Sequence, residues 1–393
     1  MLFYILLPVL FLSVLIYLVI DYRGPRKISL KATEAFGMPC LRARELIVQE
    51  VDQEGSLWAS RGLILYRLKS GEDTFIRVAH APAGLSYSWL NNFTLFRKFT
   101  NKPENIEASV THCSHLSVMS DGRMWHRSGL QGKFQETLKL RHFGPGVGRG
   151  ILSNGLLSLK DGSVYFGEYF RNPGRKEEVH IYKSPDNGQT WSVVHTFEPG
   201  SIRHVHALQE DPFTGRLWVC TGDYDQEAMI GWSENGYRDI HQIGSGSQTW
   251  RTTQLVFTKE AVFWGSDSGS VELAGVYRWD RLSGEVERVH ATAGGILFGT
   301  RLQGGSMVFS TDREGFENEL DKKTRLILLK EEGQSLEIEC GTWKHWKKGL
   351  RYSFAMLRSQ RNHGYHAMAI SVINQKEFPA GELLLFDEAI FSS

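Results

Sequence analysis

An excess of charge of one sign is missing: 45 Lys and Arg stand against 44 Asp and Glu, a formal net charge of +1. That balance removes any bulk electrostatic case for binding nucleic acid. Cysteine is scarce too. The four present, Cys40, Cys113, Cys220 and Cys340, show neither CxxC nor zinc-ligand spacing. So thin a distribution excludes a disulfide framework and favours a reducing compartment. Cys220, in the apolar run Trp218-Val219-Cys220, reads as a buried free thiol.

Glycine and aromatics, by contrast, are abundant: 40 Gly, 11 Trp and 12 % aromatic residues overall. Short aromatic runs divided by glycine turns suit an all-β body. At 393 residues the chain is long for one ordinary core. A body made of repeated layers escapes that limit, because each repeat brings its own packing.

The first residues are of another kind. Residues 2–20 read LFYILLPVLFLSVLIYLVI, without charge. At about 1.5 Å per helical residue the run matches a hydrocarbon core of about 30 Å. It lacks the basic start and small-residue cleavage site of a signal peptide. The expectation is a single transmembrane anchor over 1–21, a juxtamembrane linker over 22–43 and one globular domain over 44–393. Arg23, Arg26, Lys27 and Lys31 follow the run, which by the positive-inside rule keeps the body cytoplasmic. The sequon Asn92-Phe93-Thr94 leaves the opposite side open.

A repeat governs the remainder. ILSNGLLSLKDGSVYFGEY from Ile151, IRHVHALQEDPFTGRLWVCTGDYD from Ile202, WRTTQLVFTKEAVFWGSDSG from Trp250 and ILFGTRLQGGSMVFSTDREG from Ile296 share one plan. Each is an apolar strand, a turn, an aromatic-rich strand and a small or acidic cluster. Their second strands end near Phe166, Cys220, Trp264 and Phe309, in steps of 54, 44 and 45 residues. A four-stranded propeller blade takes about 40–50. Asp161-Gly162, Thr214-Gly215 and Gly304-Gly305 supply the hairpin turns. Weaker copies from Leu57, Ser114 and Arg351 bring the total to six or seven blades. The predicted fold is an all-β, six- or seven-bladed propeller behind one N-terminal helix.

After the first strong repeat comes Ser184-Pro185-Asp186-Asn187-Gly188-Gln189-Thr190-Trp191. An aspartate that accepts bonds from its own turn, a glycine for φ > 0 and a packing tryptophan explain the spacing. Trp232-Ser233-Glu234-Asn235-Gly236 echoes it one repeat later. The sequence resembles the Asp-box, S-x-D-x-G-x-x-W, of sialidase-like and other BNR-repeat propellers. The resemblance implies a propeller fold in which this turn is structural and remote from the ligand face. Sialidases also carry an Arg-Ile-Pro motif, three carboxylate-gripping arginines, a Tyr/Glu nucleophile pair and an acidic proton donor. No Arg-Ile-Pro occurs here, and one full turn motif is present.

The richest constellation is Arg203-His204-Val205-His206 followed by Gly222-Asp223-Tyr224-Asp225-Gln226-Glu227. On a strand, His204 and His206 share one face and Arg203 takes the other. Two imidazoles near two carboxylates suit acid–base chemistry or a divalent metal. The catalytic set read from this pattern is His206, Asp223, Tyr224 and Glu168, and the metal set is His204, His206 and Asp225. Arg149, Arg203, Arg251 and Arg301 recur at comparable places, as do Glu168, Asp223, Asp267 and Asp312. Arg203, Arg251 and Arg301, with Trp250 for stacking, form the substrate-binding set. The expected partner is an acidic glycan or glycolipid, met by a membrane-anchored hydrolase or polysaccharide lyase. The alternative is a non-catalytic tethered scaffold that binds protein through the same face.

Overall fold

The computed structural model describes residues 2–83, 90, 92–94, 96, 106–111, 114–143, 154–268, 270, 272–315, 319–330, 333–343, 353–357, 367–378 and 381–391. Arg149, Cys113 and Lys344–Lys348, a basic aromatic stretch, lie outside them. The described residues form seven antiparallel sheets. Blade one runs outward from Ile47–Val51 through Leu57–Arg61 and Ile64–Leu68 to Thr74–His80. Blade four, which carries the site, runs His204–Glu210, Leu217–Gly222, Met229–Ser233, His241–Ser245. Blade five begins at Leu255–Phe257 and blade six at Ile296–Arg301. This is a seven-bladed β-propeller.

Burial follows position in the blade. Leu217–Gly222 is buried at every residue, whereas the rim strand His241–Ser245 is exposed or half-buried throughout. An inner strand lies between two neighbouring blades, so both of its faces are apolar; a rim strand meets water. Ala207, Trp218 and Cys220 of blade four pack with Leu255, Phe257 and Trp264 of blade five. Cys40, Cys220 and Cys340 are buried free thiols. The four strong repeats, from Ile151, Ile202, Trp250 and Ile296, each supply the two innermost strands of a blade, as their pattern predicts. The copies at Leu57 and Ser114 are one strand out of phase. Leu57–Arg61 and Leu116–Ser120 are second strands, joined by their hairpins to third strands.

The N-terminal reading is corrected. A helix, α1, covers Leu2–Arg23, with side chains described from residue 11. Among the described residues no helix is long and apolar enough to cross a membrane. The anchor expected over 1–21 and the single-pass membrane placement drawn from it are therefore not supported. Instead the last turn is bonded to blade one: Asp21 accepts from Thr94 N at 2.6 Å and from Arg61 Nη2 at 3.1 Å. The expected linker over 22–43 is largely strand. Lys27–Ser29 pairs with Thr74–His80, and Lys31–Ala35 pairs with Met38–Arg44 across a Phe36-Gly37 turn with φ of 58° and 74°. Met38–Arg44 then pairs with Glu382–Asp387 and so closes the ring in blade seven. The sequon is not a surface feature, since Asn92 is buried and its Oδ1 accepts from Leu63 N.

The turn after Ser184 is as self-contained as its spacing implies. Asp186 Oδ1 accepts from Thr190 N (2.8 Å), Gln189 N (3.1 Å) and Ser184 Oγ (2.7 Å). Gly188 has φ 92°, and a Cβ there would meet Ser117 Oγ at 2.1 Å. Trp191 donates to Thr137 Oγ1 of blade two at 3.1 Å, so the turn also ties two blades together. It joins a third strand to a fourth, at the ring face opposite the starts of the inner strands. Asp186→Ala is expected to lower stability by about 1–3 kcal/mol in a urea melt. Ligand affinity of the folded fraction should stay the same; its selective loss would move this turn into the site.

Candidate functional site

The site grows from an irregularity in one strand. In blade four His204 pairs with Gly222 and Val205 with Thr221, but the next pair is Ala207 with Cys220. His206 is thus the extra residue of a β-bulge, and a bulge re-aims a side chain and twists its strand. Gly222 opposite makes room: a Cβ there would lie 2.9 Å from His206 Cε1 and 3.2 Å from Arg251 Cγ. His204 and His206 converge, Nε2 to Nε2, at 3.1 Å. Both also reach Asp223 Oδ1, at 3.3 and 3.2 Å. Each Nδ1 faces a backbone carbonyl, Phe170 O at 2.8 Å for His204 and Thr252 O at 3.1 Å for His206.

Asp223 is the hub. Arg203 Nη1 donates to its Oδ2 at 2.5 Å, and Arg251 Nη2 stands 3.8 Å from its Oδ1. The Asp223 carboxyl lies well below the usual carboxylate range, although burial acts to raise it. Burial drives His204 toward the neutral form. Arg251 turns to Asp267 at 2.9 Å, and Asp267 clusters with Asp312 and Glu314. Burial raises all three of these acids. Beneath them the wholly buried Arg313 binds Asp321 at 3.2 Å.

No protein-family model and no curated protein matches this chain. Solved structures do. YCF48 bound to D1 peptide superposes with a TM-score of 0.51 at 12 % identity, covering 92 % of this chain and 94 % of that one. A chain of the mitotic checkpoint complex gives 0.53 at 10 % identity, covering 94 % and 95 %. U3-55K gives 0.51 at 12 %, covering 91 % and 98 %. The likeness is one of fold. The propeller is shared along nearly the whole chain, while identities this low carry no activity across.

Within that propeller Arg203, His204, His206, Asp223 and Arg251 come together, as their positions at the starts of inner strands and ends of second strands imply. Other candidates go elsewhere. Asp225 opens a short 3₁₀ turn, faces solvent and accepts from Gln248 Nε2 at 3.0 Å; the carboxylate beside the imidazoles is Asp223. Arg301 ends its inner strand rather than starting it. Five residues of strand amount to roughly 16 Å. It therefore lines a separate cavity of about 350 Å³ at the opposite end of the channel, with Glu107, Lys160 and Glu210. Glu168 is buried and accepts from His180 N at 2.9 Å and Tyr182 Oη at 3.2 Å within its own blade. Trp250 stacks on Trp264, ring centroids 5.4 Å apart. Tyr224 stays half exposed, with Arg175 4.7 Å and Arg203 5.4 Å from its ring centre. Arg175 was not legible in the sequence. It belongs to a polar loop of blade three and reaches across to Glu227 at 2.8 Å.

Proposed function

We propose that this chain is a carbohydrate-active propeller of the Asp-box type that binds an acidic glycan at the face centred on Asp223. The carrying observation is the convergence of Arg203, His204, His206 and Arg251 on one carboxylate, beside the half-exposed ring of Tyr224. An aromatic ring flanked by guanidinium groups suits a sugar that carries a carboxylate, since the ring stacks and the cations pair. Of the two enzymatic readings, lysis fits better than hydrolysis. Hydrolysis asks for one acidic carboxyl and one carboxylate on either side of the bond. Here Asp223 is held ionised, and Asp267 and Asp312 are buried. Lysis asks for charge neutralisation at the uronate and a base to remove the neighbouring C–H proton. The electrons of that bond form a C=C bond as the glycosidic C–O bond breaks, and the leaving oxygen takes a proton. In this reading Tyr224 carries the proton transfers. His206, 2 % exposed, lies too deep to touch a sugar ring and serves Asp223 instead.

The test uses the full chain with oligogalacturonate and a neutral cello-oligosaccharide in calorimetry. Only the acidic ligand should bind, and Arg203→Ala should weaken it roughly ten- to a hundredfold. Ultraviolet absorbance from a new C=C bond then separates lysis from binding. Equal affinity for both sugars, or none for either, would overturn the glycan reading and favour recognition of protein through this face.

A further inference from the structure

The three atoms at the centre of the site present a problem of their own. His204 Nε2, His206 Nε2 and Asp223 Oδ1 form a nearly equilateral triangle with sides of 3.1, 3.2 and 3.3 Å. A backbone carbonyl can only accept, so the carbonyls of Phe170 and Thr252 place the proton of each imidazole on Nδ1. Both Nε2 atoms then present lone pairs, and so does Asp223 Oδ1. Three lone pairs pointing at one another repel. One shared proton relieves a single edge of the triangle, whereas a cation at its middle satisfies all three.

We infer that His204, His206 and Asp223 are the protein ligands of one divalent transition-metal ion of the zinc class, with a coordination position left open. Ligands about 2.0–2.1 Å from a tetrahedral ion stand about 3.3–3.4 Å apart, close to the spacing found. Two imidazoles with one carboxylate suit zinc or iron better than calcium or magnesium, which prefer all-oxygen sites. The surroundings are those of a metal centre as well. Both imidazoles are oriented through their second nitrogen, and Arg203 takes Asp223 Oδ2 and so leaves Oδ1 for the ion. The bulge at His206 and the bare backbone of Gly222 bring the second ring into range. Asp267 beside Arg251 offsets part of the positive charge that would oppose a dication.

Accessibility decides where the open position lies. The histidine side chains are 4 % and 3 % exposed and Asp223 is 22 % exposed, so an incoming group reaches the ion from the Asp223 side. Arg203 and Tyr224 stand on that side. If the glycan reading holds, the ion would take the uronate carboxylate and neutralise it for proton removal; this last step rests on that reading, whereas the site does not.

The experiment is zinc binding by the chelator-stripped full chain without any sugar. The expected result is one Zn²⁺ per chain, with a rise in melting temperature. His204→Ala, His206→Ala and Asp223→Asn should each weaken zinc by at least about a hundredfold. Asp225→Asn should bind like the parent. Circular dichroism must show each variant folded. Should the alanine variants fail to fold, cobalt(II) bound to the parent still reports on the site, through the visible absorption of a four-coordinate ion. No zinc binding by the folded parent, or binding indifferent to all three substitutions, overturns the site. Zinc binding without glycan binding leaves it standing and removes only the glycan reading.

Discussion

Deleting residues 1–45 is expected to abolish the folded ring. Those residues supply the strand Met38–Arg44, which pairs with Glu382–Asp387 from the far end of the chain. Without it the apolar strand Glu-Leu-Leu-Leu-Phe-Asp becomes a bare edge, prone to pair with other chains. Cys40 and Ala43 leave the core they share with Leu384 and Phe386. Glu382, 2 % exposed, loses Arg42, whose Nη2 donates to it at 2.6 Å. Leaving one buried charge unpaired costs about 3–5 kcal/mol by itself. Together with the lost ladder and burial, this approaches the whole stability of a typical domain, about 5–15 kcal/mol. Circular dichroism and limited proteolysis would read the collapse, and a peptide of residues 27–45 added in trans should restore part of the signal. A truncated chain that melts with the parent would show that ring closure does not hold the fold.

Asp312→Asn is expected to stabilise the protein at alkaline pH and to change little in acid. Burial, with Asp267 and Glu319 nearby, pushes the Asp312 carboxyl up to about 7 from an ordinary value of 3.8; Arg313 and Arg251 oppose this in part. A carboxyl whose value is raised on folding favours the fold while it is protonated. That contribution is complete below about pH 4 and is lost as pH rises through about 7. Asparagine keeps the shape and cannot ionise. The variant should therefore exceed the parent by about 2–4 kcal/mol at pH 8, a gap that closes toward pH 4. Urea midpoints at pH 5 and pH 8 would measure it. An equal gain at both would mean that packing, not charge, sets the difference.

The two results bear on how much could be read before the chain was folded. Strand order within a blade was legible wherever a hairpin announced itself: Gly162, Gly215 and Gly305 all sit at positive φ between first and second strands. In blade two, where the weaker copy from Ser114 falls, the Asp121-Gly122 turn instead joins the second strand to the third. Its inner strand, Glu107-Ala108-Ser109-Val110, is short and half polar, since its carboxylate accepts from Leu156 N of the next blade. Inter-blade bonds of that kind leave no local pattern. The closing strand was hidden for a related reason: Met38–Arg44 carries a proline near its start and two arginines near its end, like a solvated linker, and its partner lies more than three hundred residues away.

By itself the sequence determined what depends on neighbours along the chain. That covers the blade period, the hairpin turns, the Asp186 turn and the likeness of residues at equivalent places, which brought Arg203, His204, His206, Asp223 and Arg251 to one edge. Tertiary structure alone decided what depends on which end of a strand a residue occupies and what meets it across a blade. It set Asp223 rather than Asp225 beside the imidazoles, because the 3₁₀ turn after Tyr224 swings Asp225 to solvent. It sent Arg301 to the far end of the channel and brought in Arg175 from a loop of blade three. A repeat places backbone around an axis; bulges, turns and the packing of the next blade aim the side chains, and those contacts are long-range.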